Sequence, residues 1–213
     1  MLPNPFETAT RLSNSPRGAL KCGAMVWLCL LLPLVASGQV RPHRVRLTDA
    51  EFFSLSERCA PGVPTDTMLA IARTESALNA NALSINHPNA EAWRAGYSRG
   101  QLALTRQPKD QTEAIHWIRW FAAHGYTVSV GLMQVNVETA RHYGVRTDEL
   151  LEPCTNLRVG ARILIVAYST VARDLGDGLA ALDAALSLYN TGNPTAGVRN
   201  GYVADVYAHA PGR

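Results

Sequence analysis

A chain of 213 residues that is 47 % hydrophobic and 17 % charged has the make-up of a folded globular protein, with room for one well-buried domain and an accessory segment. This excludes a disordered tail, and a net charge of +3 without a basic run gives no reason to expect a nucleic-acid partner.

The N-terminus reads as export information. Arg11, Arg17 and Lys21 precede the apolar run Ala24–Val35, and Ala36, Ser37 and Gly38 supply small residues before Gln39. Twelve apolar residues fall short of the roughly 20 that a membrane-spanning helix needs. Residues 1–38 are therefore expected to be a signal peptide, cleaved rather than kept as a tether, with the mature chain in the periplasm. An uncleaved leader would be its only membrane contact. Losing the leader removes Cys22 and Cys29 and leaves Cys59 and Cys154. In an oxidising compartment this single pair is expected to be bonded, the alternative being two separately buried thiols.

Residues 39–54 form an approach segment in which Thr48 and Glu51 match a capping box for a short helix reaching Arg58. A turn follows at Cys59–Pro64, and the next helix starts at Thr65 or Asp66 and is expected to run to Asn79 or Asn81. Within it, Met68, Ile71 and Ala72 stand seven, four and three residues before Glu75, which puts that carboxylate on the apolar face. Loss of hydration there should raise its pKa toward neutrality, where a carboxyl can donate a proton. The alternative is a surface glutamate beside Arg73. Residues 79–89, rich in Asn and containing Pro88, are expected to be loop.

Two further helices are expected, one from Ala90 to Arg106 and one from Asp110 to His124, the latter with Asp110 and Glu113 as a capping box and Gly125 as its stop. Ile115, Trp117, Ile118 and Phe121 give it an apolar face; Trp117 is assigned to the core, and Trp120 fits either core or ligand platform. Val128–Asn136 is a non-helical passage containing Gly131, after which Asn136 caps a helix that Gly144 ends. Pro153–Thr155 is expected to be loop. Asn156 is expected to cap a long helix with Leu157, Gly160, Ala161, Leu164 and Tyr168 on one stripe. Helices at Leu179–Tyr189 and Tyr202–Ala208 complete the chain. No strand alternation exceeds a few residues, so the fold class is mainly α in a single domain. His116 and His124 do not match a metal-ligand spacing, and no cofactor is indicated.

Four stretches carry the chemistry: Glu75-Ser76, Gly131-Leu132-Met133-Gln134 with Val135-Asn136, Ala185 to Tyr189-Asn190, and Tyr202-Val203. Their order resembles the soluble lytic transglycosylase family, with its lysozyme-like fold, over residues 55–208, leaving 209–213 as a short tail. Within that family the chain is most similar to the small exported enzymes of type IV secretion and conjugation systems, in which a Cys pair flanks the domain as Cys59 and Cys154 do here. The helices at 90–124 are an insertion associated with that branch. The resemblance implies Glu75 as catalytic acid, Met133 and Gln134 as a cleft-lining pair, Tyr189 and Asn190 as the pair facing the acid, and Tyr202 as the later tyrosine. Ser84 fits a serine that members place near the Gly-Leu-Met-Gln stretch, but here 46 residues intervene before Gly131.

Breaking a glycosidic bond through an oxocarbenium-like transition state needs a carboxylic acid to protonate the leaving oxygen and ordinarily a second carboxylate. The partner is missing: Glu138 reads as a dipole-stabilising surface residue in the first turn of its helix, and Asp183 as part of a solvated face. The resemblance implies a substrate-assisted route on peptidoglycan glycan strands, in which Glu75 protonates the leaving oxygen and then takes the proton of the muramic acid C6 hydroxyl as it closes a 1,6-anhydro ring. The residues alone also permit hydrolysis by water, or a wall-binding module without turnover. Tyr189 is expected to reach Glu75, the alternative being a core tyrosine satisfied by backbone. The amides of Gln134 and Asn190 suit N-acetyl and hydroxyl groups, although Asn190 could instead cap its helix. Gly96-Tyr97-Ser98-Arg99-Gly100 fits G-x-S-x-G, with Asp205 and His209 following in order. That elbow needs a strand-to-helix turn in a parallel sheet, and no alternating β/α units surround it.

Overall fold

A computed structural model of the chain describes residues 46–88 and 104–212. The expected leader, most of the helix expected from Ala90, and Ser98 of the G-x-S-x-G stretch lie outside the described residues. The elements in order are α1 (Asp49–Cys59), α2 (Thr65–Ser76), β1 (Leu83–Pro88), α3 (Gln111–Ala123), β2 (Tyr126–Val130), β3 (Val135–Asn136), α4 (Val137–His142), a 3-10 turn (Glu149–Leu151), α5 (Pro153–Leu175), α6 (Leu179–Thr191), α7 (Ala196–Arg199) and α8 (Tyr202–Ala208). The mainly helical class matches the sequence reading.

Helix α5 is the spine, packed along α6 on one side and against α1 on another, while α2 sits between α1 and α8. Leu157 and Leu164 of α5, Leu182 and Leu186 of α6, and Met68, Leu69 and Ile71 of α2 are fully buried and meet in one core. Removing that apolar area from water is the main stabilising contribution. Cys59 at the end of α1 and Cys154 in the first turn of α5 form a disulfide with Cα atoms 5.3 Å apart, closing a separation of 95 residues. Among the described residues no helix is long and apolar enough to cross a membrane.

Local signals placed several boundaries well. The Thr48–Glu51 capping box forms in both directions at α1, Asp110 accepts the Glu113 N–H at the start of α3, and Asn136 caps α4 through the Glu138 N–H.

Four expectations need correction. Within the stretch read as loop, Leu83–Pro88 is a strand, paired antiparallel with β2 in the register Leu83 to Val130, Ser84 to Ser129 and Ile85 to Val128. Leu83 and Ile85 pack on the core while Ser84 is exposed, but the run is short and polar, and its partner lies some 40 residues away, beyond the reach of local periodicity. Helix α2 stops at Ser76 rather than at Asn79 or Asn81, because Ala77 and Leu78 both turn left-handed at φ 49° and 62°. Leu78 is buried, and the Leu47 N–H and the Arg46 guanidinium bind the carbonyls of Leu78 and Ala77, which hold this unfavourable turn in place. Helix α5 begins at Pro153, with Glu152 accepting the Thr155 N–H, so Asn156 is an interior residue and not the cap. Proline at the first helical position costs no hydrogen bond and presets φ. Finally, Trp117 lies at the edge of the core rather than within it, half-buried with the Arg106 guanidinium 4.9 Å over its ring, and Trp120 is exposed and stacked on His124.

Candidate active site

Glu75 is the penultimate residue of α2, on the side that faces α8. The Tyr202 hydroxyl, from the first residue of α8, donates to Glu75 Oε1 at 2.6 Å. The residue keeps part of its surface exposed, but its carboxyl loses enough hydration to push its pKa up to about 7, against the opposing effect of the Tyr202 hydrogen bond. No carboxylate of the described residues is among the causes of that shift. The acid is therefore divided between protonated and ionised forms near neutral pH, the condition for a group that must both donate and accept a proton.

Tyr189 does not bond to Glu75. Its hydroxyl donates to the Met133 carbonyl at 2.7 Å, which is the backbone-satisfied alternative. It is nonetheless close enough for the Glu75 charge to act on it: burial first and that charge second raise its pKa well above the usual phenol value, and the same two effects, with the direct hydrogen bond, raise that of Tyr202. Both phenols remain donors across the physiological range.

The Gly131–Gln134 turn sits beneath these groups, and its three successive carbonyls are all bound. That of Gly131 accepts from the Gln134 side-chain amide at 2.9 Å, that of Leu132 from Ser76 Oγ at 2.8 Å, and that of Met133 from Tyr189. Gln134, at φ 44°, also donates from Nε2 to the Ala82 carbonyl at 3.0 Å. Its donors are thus spent on the Gly131 carbonyl of its own turn and on the loop after α2 rather than offered to a sugar; its carbonyl oxygen is the end left for ligand contact. Met133, expected to line the cleft, is instead fully buried and presents no side-chain surface to a ligand. It packs where α5 has Gly160, at which a Cβ would lie 2.7 Å from the Met133 side chain.

Strand pairing accounts for Ser84. Although 46 residues separate it from Gly131 in sequence, β1 sets it opposite Ser129, two positions before that glycine. Asn190 is exposed and accepts from Asn200 Nδ2 at 3.2 Å; Gly192 in the left-handed conformation, not Asn190, caps α6. Asp183 is half-buried and accepts the Tyr207 hydroxyl at 2.6 Å, tying α6 to α8 rather than facing solvent. His209 is occupied by Thr74 at 2.9 Å, while its carbonyl takes the Arg73 guanidinium, so the end of α8 is fastened to α2.

Two contributors were given no role at the site from sequence. Ser76 ties the last turn of α2 to the Leu132 carbonyl, a partner 56 residues away that no local pattern reveals. Asn156 binds the other side of the same turn, and here a signal existed: it stands four residues before Gly160, on the buried stripe of α5. Among the described residues no group of three or more His, Cys, Asp or Glu is placed to hold a metal ion.

Comparison with known proteins converges on the same region. Residues 53–205 match the family model described as the transglycosylase SLT domain. The chain is 34 % identical over 177 residues to protein virB1 of Agrobacterium fabrum, covering 83 % of this chain and 66 % of that protein. It is 34 % identical over 165 residues to the type IV secretion system protein virB1 of Brucella abortus, covering 75 % and 63 %, and 33 % identical over 160 residues to protein virB1 of Rhizobium radiobacter, covering 75 % and 61 %. The match thus spans just under two thirds of the length of these relatives. No solved structure matches the chain.

Proposed function

The chain belongs to the transglycosylase SLT domain family, and from that premise we propose that it is a peptidoglycan lytic transglycosylase that cleaves the β-1,4 bond between N-acetylmuramic acid and N-acetylglucosamine and leaves 1,6-anhydro ends. The observation that carries the reading is a carboxyl, Glu75, poised near neutrality by burial and held by Tyr202, with no carboxylate of the described residues acting on it. Protonated Glu75 gives its proton to the leaving glycosidic oxygen. The resulting carboxylate takes the proton of the muramic acid C6 hydroxyl, whose oxygen attacks C1, so the proton balance closes at Glu75 without water. Tyr202 orients the acid and supports its ionised form midway through the cycle. Tyr189, Gln134, Asn190 and Ser84 surround the sugar as binding groups, and Met133 serves them from below as packing.

The likeness to a type IV secretion system protein supports a role in opening the wall locally for such an apparatus or a conjugation machine. Export to the periplasm is supported by the basic-then-apolar N-terminus and by the Cys59–Cys154 disulfide, which an oxidising compartment would maintain. Purified protein incubated with sacculi should release soluble muropeptides, and Glu75→Gln should retain the fold while losing at least 100-fold in release, on the order expected for removal of an essential acid. Equal release by the two proteins would remove Glu75 from the mechanism.

A further inference from the structure

We propose that Asn156, buried in helix α5, is the positioning residue that fixes the Gly131–Gln134 turn and through it the placement of Glu75 and Tyr189. The proposal deepens the transglycosylase reading and rests on it for its catalytic consequence.

The side chain of Asn156 is 1 % exposed and uses both ends of its amide. Its Oδ1 accepts the Met133 N–H at 2.8 Å, while its Nδ2 donates to the carbonyls of Val130 at 2.8 Å and Leu150 at 2.9 Å. One group therefore grips the last residue of β2, the third residue of the turn, and the 3-10 segment that precedes α5. The fit is tight from the turn side as well: Gly131 has φ 79°, and a Cβ there would run into Asn156 Nδ2. A carboxylate at this position would face two carbonyl oxygens, and a shorter side chain would take the acceptor from the Met133 N–H and the side-chain donor from the carbonyls of Val130 and Leu150.

The turn passes this constraint onward by two routes. The Leu132 carbonyl holds Ser76, the residue after Glu75, and the Met133 carbonyl holds the Tyr189 hydroxyl, which sits within range of the Glu75 charge. If the turn slips, Ser76 falls back on the Ala72 carbonyl of its own helix, Tyr189 loses its acceptor, and water gains access to the acid. A displacement of about 1 Å in a group that positions a catalytic residue can lower the rate on the order of 100-fold.

The test combines two variants with measurements on the unaltered protein. Asn156→Asp keeps the shape and one acceptor but removes both donated bonds. Gly131→Ala presses on the same contact from the opposite side. In each, under conditions where circular dichroism reports a folded protein, kcat on glycan strands should fall about 10- to 100-fold with KM changed less than about threefold, and the NMR titration of the Glu75 carboxyl should move down from near neutrality. A purely structural asparagine would instead lower activity only in proportion to the folded fraction, leaving the Glu75 titration where the unaltered protein has it; that result overturns the proposal. Hydrogen exchange at the Met133 amide of the unaltered chain tests the anchor even if both variants fail to fold. Exchange as slow as that of core amides in α5 supports the anchor, and exchange at loop rates overturns it. The titration and exchange readouts need no substrate, so a protein that passes them yet releases no anhydro product would refute the transglycosylase reading and leave the anchor standing.

Discussion

The consequences of a half-hidden carboxyl are best seen at Glu75 itself. In the unfolded chain it ionises near its ordinary 4.5, whereas in the fold burial holds it near 7. Between those values the folded state binds more protons than the unfolded state, so stability falls as pH rises through the window. The contribution is fully present below about 4.5 and gone above about 7. Glu75→Gln escapes this loss. Urea unfolding should find the variant more stable than the unaltered protein at pH 8 by up to about 3 kcal/mol, with the difference vanishing at pH 4. Equal stability of the two proteins at pH 8 would mean the acid is hydrated. Tyr202→Phe acts in the other direction on the titration, because it removes the bond that favours the ionised form. The alkaline limb of the pH–rate profile should move to higher pH, and an unmoved limb would show that the hydroxyl does not govern the acid. Sequence alone located Glu75 by its place on an apolar face, yet it named the wrong phenol. Tyr189 stands in the last turn of α6 and Tyr202 at the first position of α8, and only the docking of α8 on α2 decides which one reaches the carboxylate.

Helices were legible because their signals are local. Capping at Thr48, Asp110 and Asn136 and the stripe of α5 can all be read within one or two turns. What escaped depends on partners far along the chain. Strand β1 exists because β2 lies beside it, and α2 ends early because residues 46 and 47 bind its left-handed exit. The capping role expected of Asn156 failed for a related reason: Pro153 and Glu152 start α5 one turn earlier and free the asparagine for the interior. The same helix supplies a prediction about packing. Gly160 lets α5 approach Met133, and Gly160→Ala would place a methyl 2.7 Å from that buried side chain and 3.2 Å from the Tyr189 hydroxyl. Overpacking of this kind costs about 1–3 kcal/mol, so thermal unfolding should drop by several degrees. The usual gain in helix propensity from Gly to Ala would win only if Met133 could retreat, and an unchanged or raised Tm would show that it does.

Across the whole molecule, four motifs that begin at residues 75, 131, 185 and 202 are brought together in two steps: α8 docks on α2 so that Tyr202 meets Glu75, while the Gly131–Gln134 turn and Tyr189 meet against α5. The disulfide fastens the end of α1 to the first turn of α5, across a separation of 95 residues. Replacing Cys59 and Cys154 by serine should cost about 2–5 kcal/mol, mainly by freeing the unfolded chain, and reductant should lower the Tm of the parent protein but not that of the double variant. An equal response of both to reductant would show that the bridge does not form.

The central claim is that one acid makes the sugar close on itself without water. The most direct measurement is mass spectrometry of muropeptides released from sacculi digested in heavy-oxygen water. The account predicts 1,6-anhydro ends, lighter by one water than reducing ends and free of heavy oxygen, and their disappearance with Glu75→Gln. Reducing ends carrying the heavy isotope would contradict it and identify a hydrolase.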